Sequence, residues 1–179
     1  MFPLRVQDAV GNTRTAAMDY RVLIPTLVTD ENENRSATAF DVMGLVSGTA
    51  TMGKITENLG DTLNNFRPVL SQDEIDQFFA SPTIAAGAAL LGDATTRGIY
   101  DYDRWRRDKS SQMPVYTATI SRETHVSDPA PPDGLTVQLS FVHSDGFGRA
   151  IQTKSYAEPG PLVEQGPVVG RERVDCFQQ

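Results

Sequence analysis

A short unit recurs along the chain: an aspartate, two spacer residues and a glycine, set between stretches that alternate polar and apolar residues. It occurs as Asp8-Ala-Val-Gly11, as Asp41-Val-Met-Gly44 and as Asp145-Gly-Phe-Gly148, which Arg149 follows. An aspartate at the first turn position can accept hydrogen bonds from backbone N–H groups two residues on. The glycine tolerates the positive φ that closes a hairpin through a bulge. Each unit therefore predicts a hairpin turn between two strands.

A fourth unit keeps this frame without the glycine. Asp30-Glu-Asn-Glu33 has glutamate at the last position, and Asn34 follows it. Because asparagine enters the left-handed region more readily than glutamate, we expect Asn34 to supply the positive φ. In chain order, the first three of the four frames begin at positions 8, 30 and 41, so their spacings are 22 (30 − 8) and 11 (41 − 30). A fixed multiple of this kind is typical of stacked strand–turn–strand units.

Most of the remaining chain has the composition of strands, and one stretch has that of helices. β-Branched and aromatic residues with alternating polarity predict strands at 20–28, 35–41, 45–52, 95–103, 115–122 and 135–144. Ser71 and Glu74 form a capping box that begins a helix, and a second helix is predicted from Ser81-Pro82 to Gly92.

These patterns predict a mainly β fold of antiparallel hairpins with a small helical insertion. We expect a β-sheet segment over 1–165, with the insertion at about 70–92, and an irregular tail at 166–179 rich in glycine, proline and charge. In the strand at 135–144, Leu135, Val137, Leu139 and Phe141 share one face, while Thr136, Gln138 and Ser140 share the other. The sheet should therefore have one packed face and one polar face.

Composition argues against several kinds of partner. The net charge of −7 disfavours binding to nucleic acid or to an anionic membrane surface. No apolar run approaches the ~18–20 residues that cross a bilayer. The N-terminus lacks the features of a signal peptide, so export would use a signal elsewhere or another route. The lone Cys176 excludes an internal disulfide framework and a cysteine-based zinc site.

Motifs that would indicate an enzyme or a cofactor are incomplete. Gly48 to Lys54 matches the start of a phosphate-binding loop, but Ile55 stands where a hydroxyl should follow, and the stretch is typical of a strand end. The pair Gly146 and Gly148 lacks a third glycine, because position 151 is Ile151. We therefore expect no cofactor and no enzymatic activity.

Clusters of titratable residues also favour structural roles. His125 and His143 lie near aspartates but lack the further ligands of a metal site, so we expect hydrogen-bonded or solvated histidines. The carboxylates at 73, 74 and 76 complement a helix N-terminus. Asp101 and Asp103 alternate with tyrosines and are predicted on a polar strand face, and the basic cluster at 104–109 is predicted as a solvated strand end with internal salt bridges.

The sequence resembles a known family at these same units. The Asp-x-x-Gly-Arg and Phe-Asp-x-x-Gly units look like RHS/YD repeats. More specifically, 19–54 (DYRVLIPTLVTDENENRSATAFDVMGLVSGTATMGK), 123–129 (ETHVSDP) and 140–161 (SFVHSDGFGRAIQTKSYAEPGP) resemble the B component of bacterial insecticidal toxin complexes, which is related to SpvB-type toxins. The resemblance covers about positions 8–165 and includes the helical insertion.

The resemblance implies a structural role in a secreted toxin complex. In that family a β-sheet winds into a hollow shell that, with the C component, encloses a toxic cargo and docks on the pore-forming A component. The implied partners are thus other parts of the shell, the C component and, through the full-length protein, the A component. The alternative is an independent β-rich module that binds a peptide or glycan at an exposed sheet face or edge.

The residues that would carry the structural role are those that form the turns. They are predicted to hold the register of neighbouring strands, with no catalytic, cofactor or metal-binding residue among them. They are Asp8, Gly11, Asp30, Asp41, Gly44, Asp145, Gly148 and Arg149.

Overall fold

The protein forms a single antiparallel sheet of nine strands in which every strand pairs with its neighbours in sequence. The computed structural model describes residues 4–107, 109, 114–129, 131–132, 137–145, 147 and 149–156. The strands are β1 (Arg5–Gln7), β2 (Thr13–Asp19), β3 (Ile24–Thr29), β4 (Arg35–Phe40), β5 (Val46–Met52), β6 (Thr96–Tyr100), β7 (Tyr116–Arg122), β8 (Val137–Ser144) and β9 (Ala150–Ser155). The predicted class, mainly β with a small helical part, is confirmed.

Two helices lie between β5 and β6, which still pair with each other. Helix α1 (Gln72–Ala80) begins at Ser71 with the predicted capping box: Glu74 N donates to Ser71 Oγ at 3.3 Å, and Ser71 N donates to Glu74 Oε2 at 2.8 Å. Helix α2 (Ile84–Leu91) begins two residues later than predicted, because Thr83 rather than Ser81 caps it by accepting a hydrogen bond from Ala86 N.

The helices cover one face of the sheet. Gly87 of α2 is buried, and a Cβ atom there would come within 2.8 Å of Leu139, so the missing side chain lets the helix approach β8 closely. The core between them consists of Phe78, Leu91, Ala94, Ile99, Tyr116, Ala118, Ile120, Val137, Leu139 and Phe141. The predicted alternation in β8 holds at Val137, Leu139 and Phe141, which are buried; Leu135 and Thr136 lie outside the described residues.

The opposite face carries hydroxyl and amide side chains in cross-strand rows. One row runs over five strands, from β4 to β8, through Thr38, Thr49, Thr96, Ser121 and Gln138. The Thr49 and Thr96 hydroxyls lie 2.7 Å apart. This pair adds a hydrogen bond between β5 and β6, and the whole row leaves the surface polar. The sheet is therefore two-faced, with one packed side and one hydroxyl-rich side.

The predicted strand at 20–28 is wrong in its first half. Residues 20–23 form a turn, in which Leu23 N donates to Asp19 O at 2.8 Å, Asp19 Oδ1 accepts from Arg21 N at 2.8 Å, and Leu23 has φ +60°. The strand β3 begins only at Ile24, and β2, which it pairs with, was not predicted. The turn could not be recognised from composition, because residues 20–23 have the side chains of a strand. Asp19, which fixes the turn, lies at the end of β2 and not within a polar stretch that would indicate a loop.

The basic cluster after β6 is also different from the prediction. Arg104–Arg107 forms a short helix, α3, rather than a strand end. Asp103 fixes its first turn, since Arg107 N donates to Asp103 O at 3.0 Å and Arg106 Nε donates to Asp103 Oδ1 at 2.6 Å. Arg104 and Arg107 face the buried Asp101, whereas Arg106 stays exposed beside Asp103.

Candidate functional site: the aspartate turns and the buried ion pairs

The turn at Asp41 shows how one carboxylate fixes a hairpin. Asp41 Oδ1 accepts hydrogen bonds from Met43 N and Leu45 N, both at 2.9 Å. The backbone closes the same loop, because Gly44 N donates to Asp41 O at 3.1 Å and Asp41 N donates to Leu45 O at 2.9 Å. Gly44 has φ +84°, a conformation that side chains disfavour. The aspartate thus sets where β4 ends and β5 begins.

The same hydrogen bonds recur at three other aspartates. Asp8 Oδ1 accepts from the second and fourth following amides at 3.0 and 2.9 Å, and Asp30 Oδ1 does so at 2.9 and 2.8 Å. For Asp145 these distances are 2.8 Å to Phe147 N and 3.3 Å to Arg149 N. Arg149 also donates from Nε to Asp145 Oδ2 at 2.6 Å. All four units therefore build one turn type.

The third residue after the aspartate is left-handed in the described turns even where it is not glycine. Gly11 has φ +95°, and in the second turn Glu33 has φ +69°, so the expectation that Asn34 would take this role is wrong. The aspartate holds the second and fourth following amides, which forces the third residue into the left-handed region whatever its side chain. Gly148 lies outside the described residues.

Hydrogen bonding to the carboxylates lowers the pKa of three turn aspartates. The Asn12 side chain lowers that of Asp8. Burial works to raise the pKa of Asp30, but the bonds from Asn34 outweigh it. The Phe147 amide lowers the pKa of Asp145. All three carboxylates are therefore held in the charged form that accepts these bonds.

Asp41 differs from the other turn aspartates because it is buried. Only 7 % of its surface is exposed, and it accepts a further hydrogen bond from the Tyr102 hydroxyl. Burial and this hydrogen bond raise the pKa of Tyr102. Its ring stacks on Tyr100 with centroids 5.7 Å apart, and the Tyr100 hydroxyl donates to Val46 O at 2.7 Å. This turn is thus joined to β6 and the segment that follows it.

A buried carboxylate, Asp101, connects the end of β6 to α1 and α3. Its side chain is fully buried and β6 ends before it, so the predicted position on a polar strand face is wrong. Arg107 Nη2 donates to both its oxygens, at 2.8 and 3.0 Å, and Arg107 Nη1 lies 2.9 Å from Asp76 Oδ2 on α1. Arg104 Nη1 lies 3.8 Å from Asp101 Oδ2. The pKa of Asp76 is lowered mainly by Arg107. The cluster is an ion network centred on the buried Asp101 carboxylate.

A second buried carboxylate, Asp61, was not predicted. It accepts hydrogen bonds from Thr95 Oγ1 and from Val126 N at 2.9 Å, and its Oδ2 lies 2.8 Å from His125 Nδ1. Arg122 Nε is 3.6 Å away. Asp61 thereby ties the β5–β6 connection to the loop after β7. Sequence offered no signal for it, because its partners are 34 to 65 positions away.

His125 occupies a hydrogen-bonded position of the predicted kind, whereas His143 packs against an aromatic ring. His125 hydrogen-bonds Asp61, and His143 stacks on Tyr116 with ring centroids 5.0 Å apart. Burial lowers the pKa of His143. Within the described ranges, no three His, Cys, Asp or Glu side chains are grouped so that they could hold a metal ion. The segment that matched the start of a phosphate-binding loop begins at Gly48, which lies inside strand β5.

Comparison with solved structures identifies the fold. The chain matches the crystal structure of TcdB2-TccC3, a toxin-complex B–C pair, with a TM-score of 0.66, 21 % identity and coverage of 95 % of this chain. It also matches TcdB2-TccC3-Cdc42 (TM-score 0.63, 18 % identity, 95 % of this chain) and TcdB2-TccC3-TEV (0.62, 17 %, 88 %). No family model and no curated protein matches the chain.

The likeness concerns a small part of those structures. The chain spans 8, 10 and 9 % of the three matched chains. At this level of identity the comparison shows a fold shared with toxin-complex structures, and the expected resemblance is met to that extent. In the part of the chain that the structure describes, no helix is long and apolar enough to cross a membrane.

Proposed function

We propose that this chain is a structural segment of a toxin-complex β-shell, similar to the B component, and that it has no catalytic role. The observation that carries the proposal is the repeated turn: four aspartates with one hydrogen-bonding scheme order a nine-stranded sheet. The match to TcdB2-TccC3 over 95 % of this chain supports the same reading.

The two faces of the sheet suit a wall. The packed face carries the helices and the core, and the hydroxyl rows on the other face leave it hydrated. In the described residues, β1 and β9 each pair with a single strand, so both edges of the sheet can accept a further strand. A wall that continues beyond both edges would pair the free backbone N–H and C=O groups of these edge strands with further strands. In an isolated module, water would hydrogen-bond to those groups instead.

The proposed partners follow from this role. They are the neighbouring parts of the shell, the C component and, through the longer protein, the A component of a secreted toxin complex. Binding to nucleic acid is disfavoured by the net charge of −7. The competing role, a peptide- or glycan-binding module, would use the same hydroxyl-rich face or the sheet edges.

Co-expression with a C component tests the proposal. A longer B-like protein that contains this segment should co-purify with the C component and form hollow particles in electron microscopy. Deleting β4–β5, while leaving the other strands, should abolish the particles. Intact particles without this hairpin would contradict a wall role. A saturable thermal shift of the isolated chain with a glycan or peptide would favour the binding module instead.

A further inference from the structure

Arg97 is a buried cation whose hydrogen-bonding groups are not all used. It lies on β6 and points to the helix-covered face, where 3 % of its surface is exposed. Its Nη2 donates to the Arg67 carbonyl oxygen at 3.1 Å. In the described part of the chain, Nε and Nη1 have no hydrogen-bond partner and no carboxylate forms an ion pair with the side chain. Buried guanidinium groups are normally paired.

An aromatic ring covers the guanidinium in place of a carboxylate. The Phe66 ring centroid lies 4.0 Å from Arg97 Cζ, and the same ring rests on Gly48, where a Cβ atom would overlap it. The cation–π contact recovers part of the lost hydration. Burial still lowers the pKa of Arg97 to about 10, so the group keeps its charge at neutral pH.

A cleft of 170 Å³ lies beside this side chain. The residues that line it include Arg97, Arg67, Phe66, Asn65, Leu90 and Asp93. On the same measure one water molecule needs roughly 10–15 Å³, so the cleft has room for a small organic anion together with water. Its lining joins a cation and polar groups to an apolar wall.

We propose that this cleft binds a carboxylate through Arg97. Arg67 is already paired with Glu74, and Asp93 adds a negative charge to the lining, so the local charge fits a monoanion better than a phosphate dianion. A planar carboxylate matches the guanidinium donors, and a short apolar stem suits Leu90 and Phe66. Acidic side chains of a neighbouring chain and free small carboxylates share this chemistry.

Binding requires a local movement of Phe66. Nε and Nη1 are enclosed, so the ligand reaches them when the ring shifts from the guanidinium. Phe66 belongs to the connection between Met52 and Gln72, which contains neither helix nor strand, so its displacement leaves the sheet ladder intact. The proposal is independent of the shell role, because it depends on the charge and space around Arg97.

An NMR titration of the purified, ¹⁵N-labelled chain tests this proposal. Sodium acetate, compared with sodium chloride at equal ionic strength, should give saturable shifts of the Arg97 Nε–H and of the Phe66 and Leu91 amides. Arg97→Met should abolish the saturable shifts, and Arg97→Lys should weaken them about tenfold or more. The control Arg14→Met removes an exposed arginine paired with Glu31 and should leave them unchanged.

The source of the carboxylate is separated by two further probes. An amidated peptide with one internal glutamate that binds more tightly than acetate identifies a protein side chain, and tighter binding of free butyrate identifies a small molecule. Equal shifts with chloride, or acetate shifts that persist in a folded Arg97→Met variant, would overturn the proposal. A folded variant is recognised by unchanged amide positions in β7 and β8.

Discussion

The turns at Asp8 and Asp41 make the same hydrogen bonds but hold very different positions in the molecule. Both carboxylates accept bonds from the second and fourth following amides at 2.9 to 3.0 Å. Asp8 is exposed at the β1–β2 edge, whereas Asp41 is buried and also accepts a bond from Tyr102. The local scheme therefore defines the turn, and the surrounding packing determines how much the turn contributes to stability.

The largest effect is expected from Asp41→Ala. The substitution removes the buried acceptor of two backbone amides and of the Tyr102 hydroxyl, and should lower the free energy of unfolding by about 3 kcal/mol. Urea denaturation monitored by circular dichroism measures it. Asp8→Ala is the matched control and should have a much smaller effect, since water can replace its carboxylate; equal losses would contradict the comparison.

The next effect is expected at Gly44. Gly44→Val places a β-branched side chain at φ +84° and brings its Cβ within 2.6 Å of Val22, so the free energy of unfolding should fall by about 2 kcal/mol. Thermal and urea unfolding measure this. Gly11→Val keeps the strain but meets only Gln7, at 3.9 Å, and should cost less. Gly148→Val, outside the described residues, stays a prediction of the same kind.

A stabilising change is expected at the turn without glycine. Glu33 has φ +69°, and Glu33→Gly should remove this strain and raise the free energy of unfolding by about 1 kcal/mol. Glu31→Gly in the same turn is the control, because it loses the ion pair with Arg14 and relieves no positive φ. A loss of stability in Glu33→Gly would mean that the left-handed residue is not strained.

The smallest effect is the pH dependence of an exposed turn. The folded-state pKa of Asp145 is lowered below 3.8, so its carboxylate contributes stability that is present above pH 3.8 and is lost as the pH falls through the lower, folded-state pKa. The difference in unfolding midpoint between wild type and Asp145→Ala should be constant near neutral pH and shrink below pH 3.8. If the difference in unfolding midpoint grew as the pH falls, it would contradict a lowered pKa of Asp145 in the folded state.

The turns could be predicted because their chemistry is local. An aspartate and the amides two and four residues later are fixed by sequence spacing alone, and the capping box at Ser71 and Glu74 is local in the same way. The exception is instructive, since Glu33 took the left-handed conformation although its side chain disfavours it. The frame of hydrogen bonds was more decisive than the preference of one residue.

The buried charges could not be predicted because their partners are distant in sequence. Asp61 meets His125 across 64 positions, and Arg97 meets the Arg67 carbonyl across 30. Asp101 was predicted on a polar strand face because it alternates with tyrosines. That pattern carries no information about α3, where Arg107 pairs with the Asp101 carboxylate. Only the topology that brings these elements together reveals the two ion networks and the cleft.

In our interpretation, aspartate turns order a sheet whose two edges are open to further strands. Hydrogen exchange on the purified chain, paired with size-exclusion chromatography and light scattering, tests this arrangement. We expect slow amides in β4 to β8, fast exchange in β1 and β9, and concentration-dependent association through the open edges. A compact monomer with slowly exchanging amides in β1 and β9 would contradict it and favour a self-sufficient binding module.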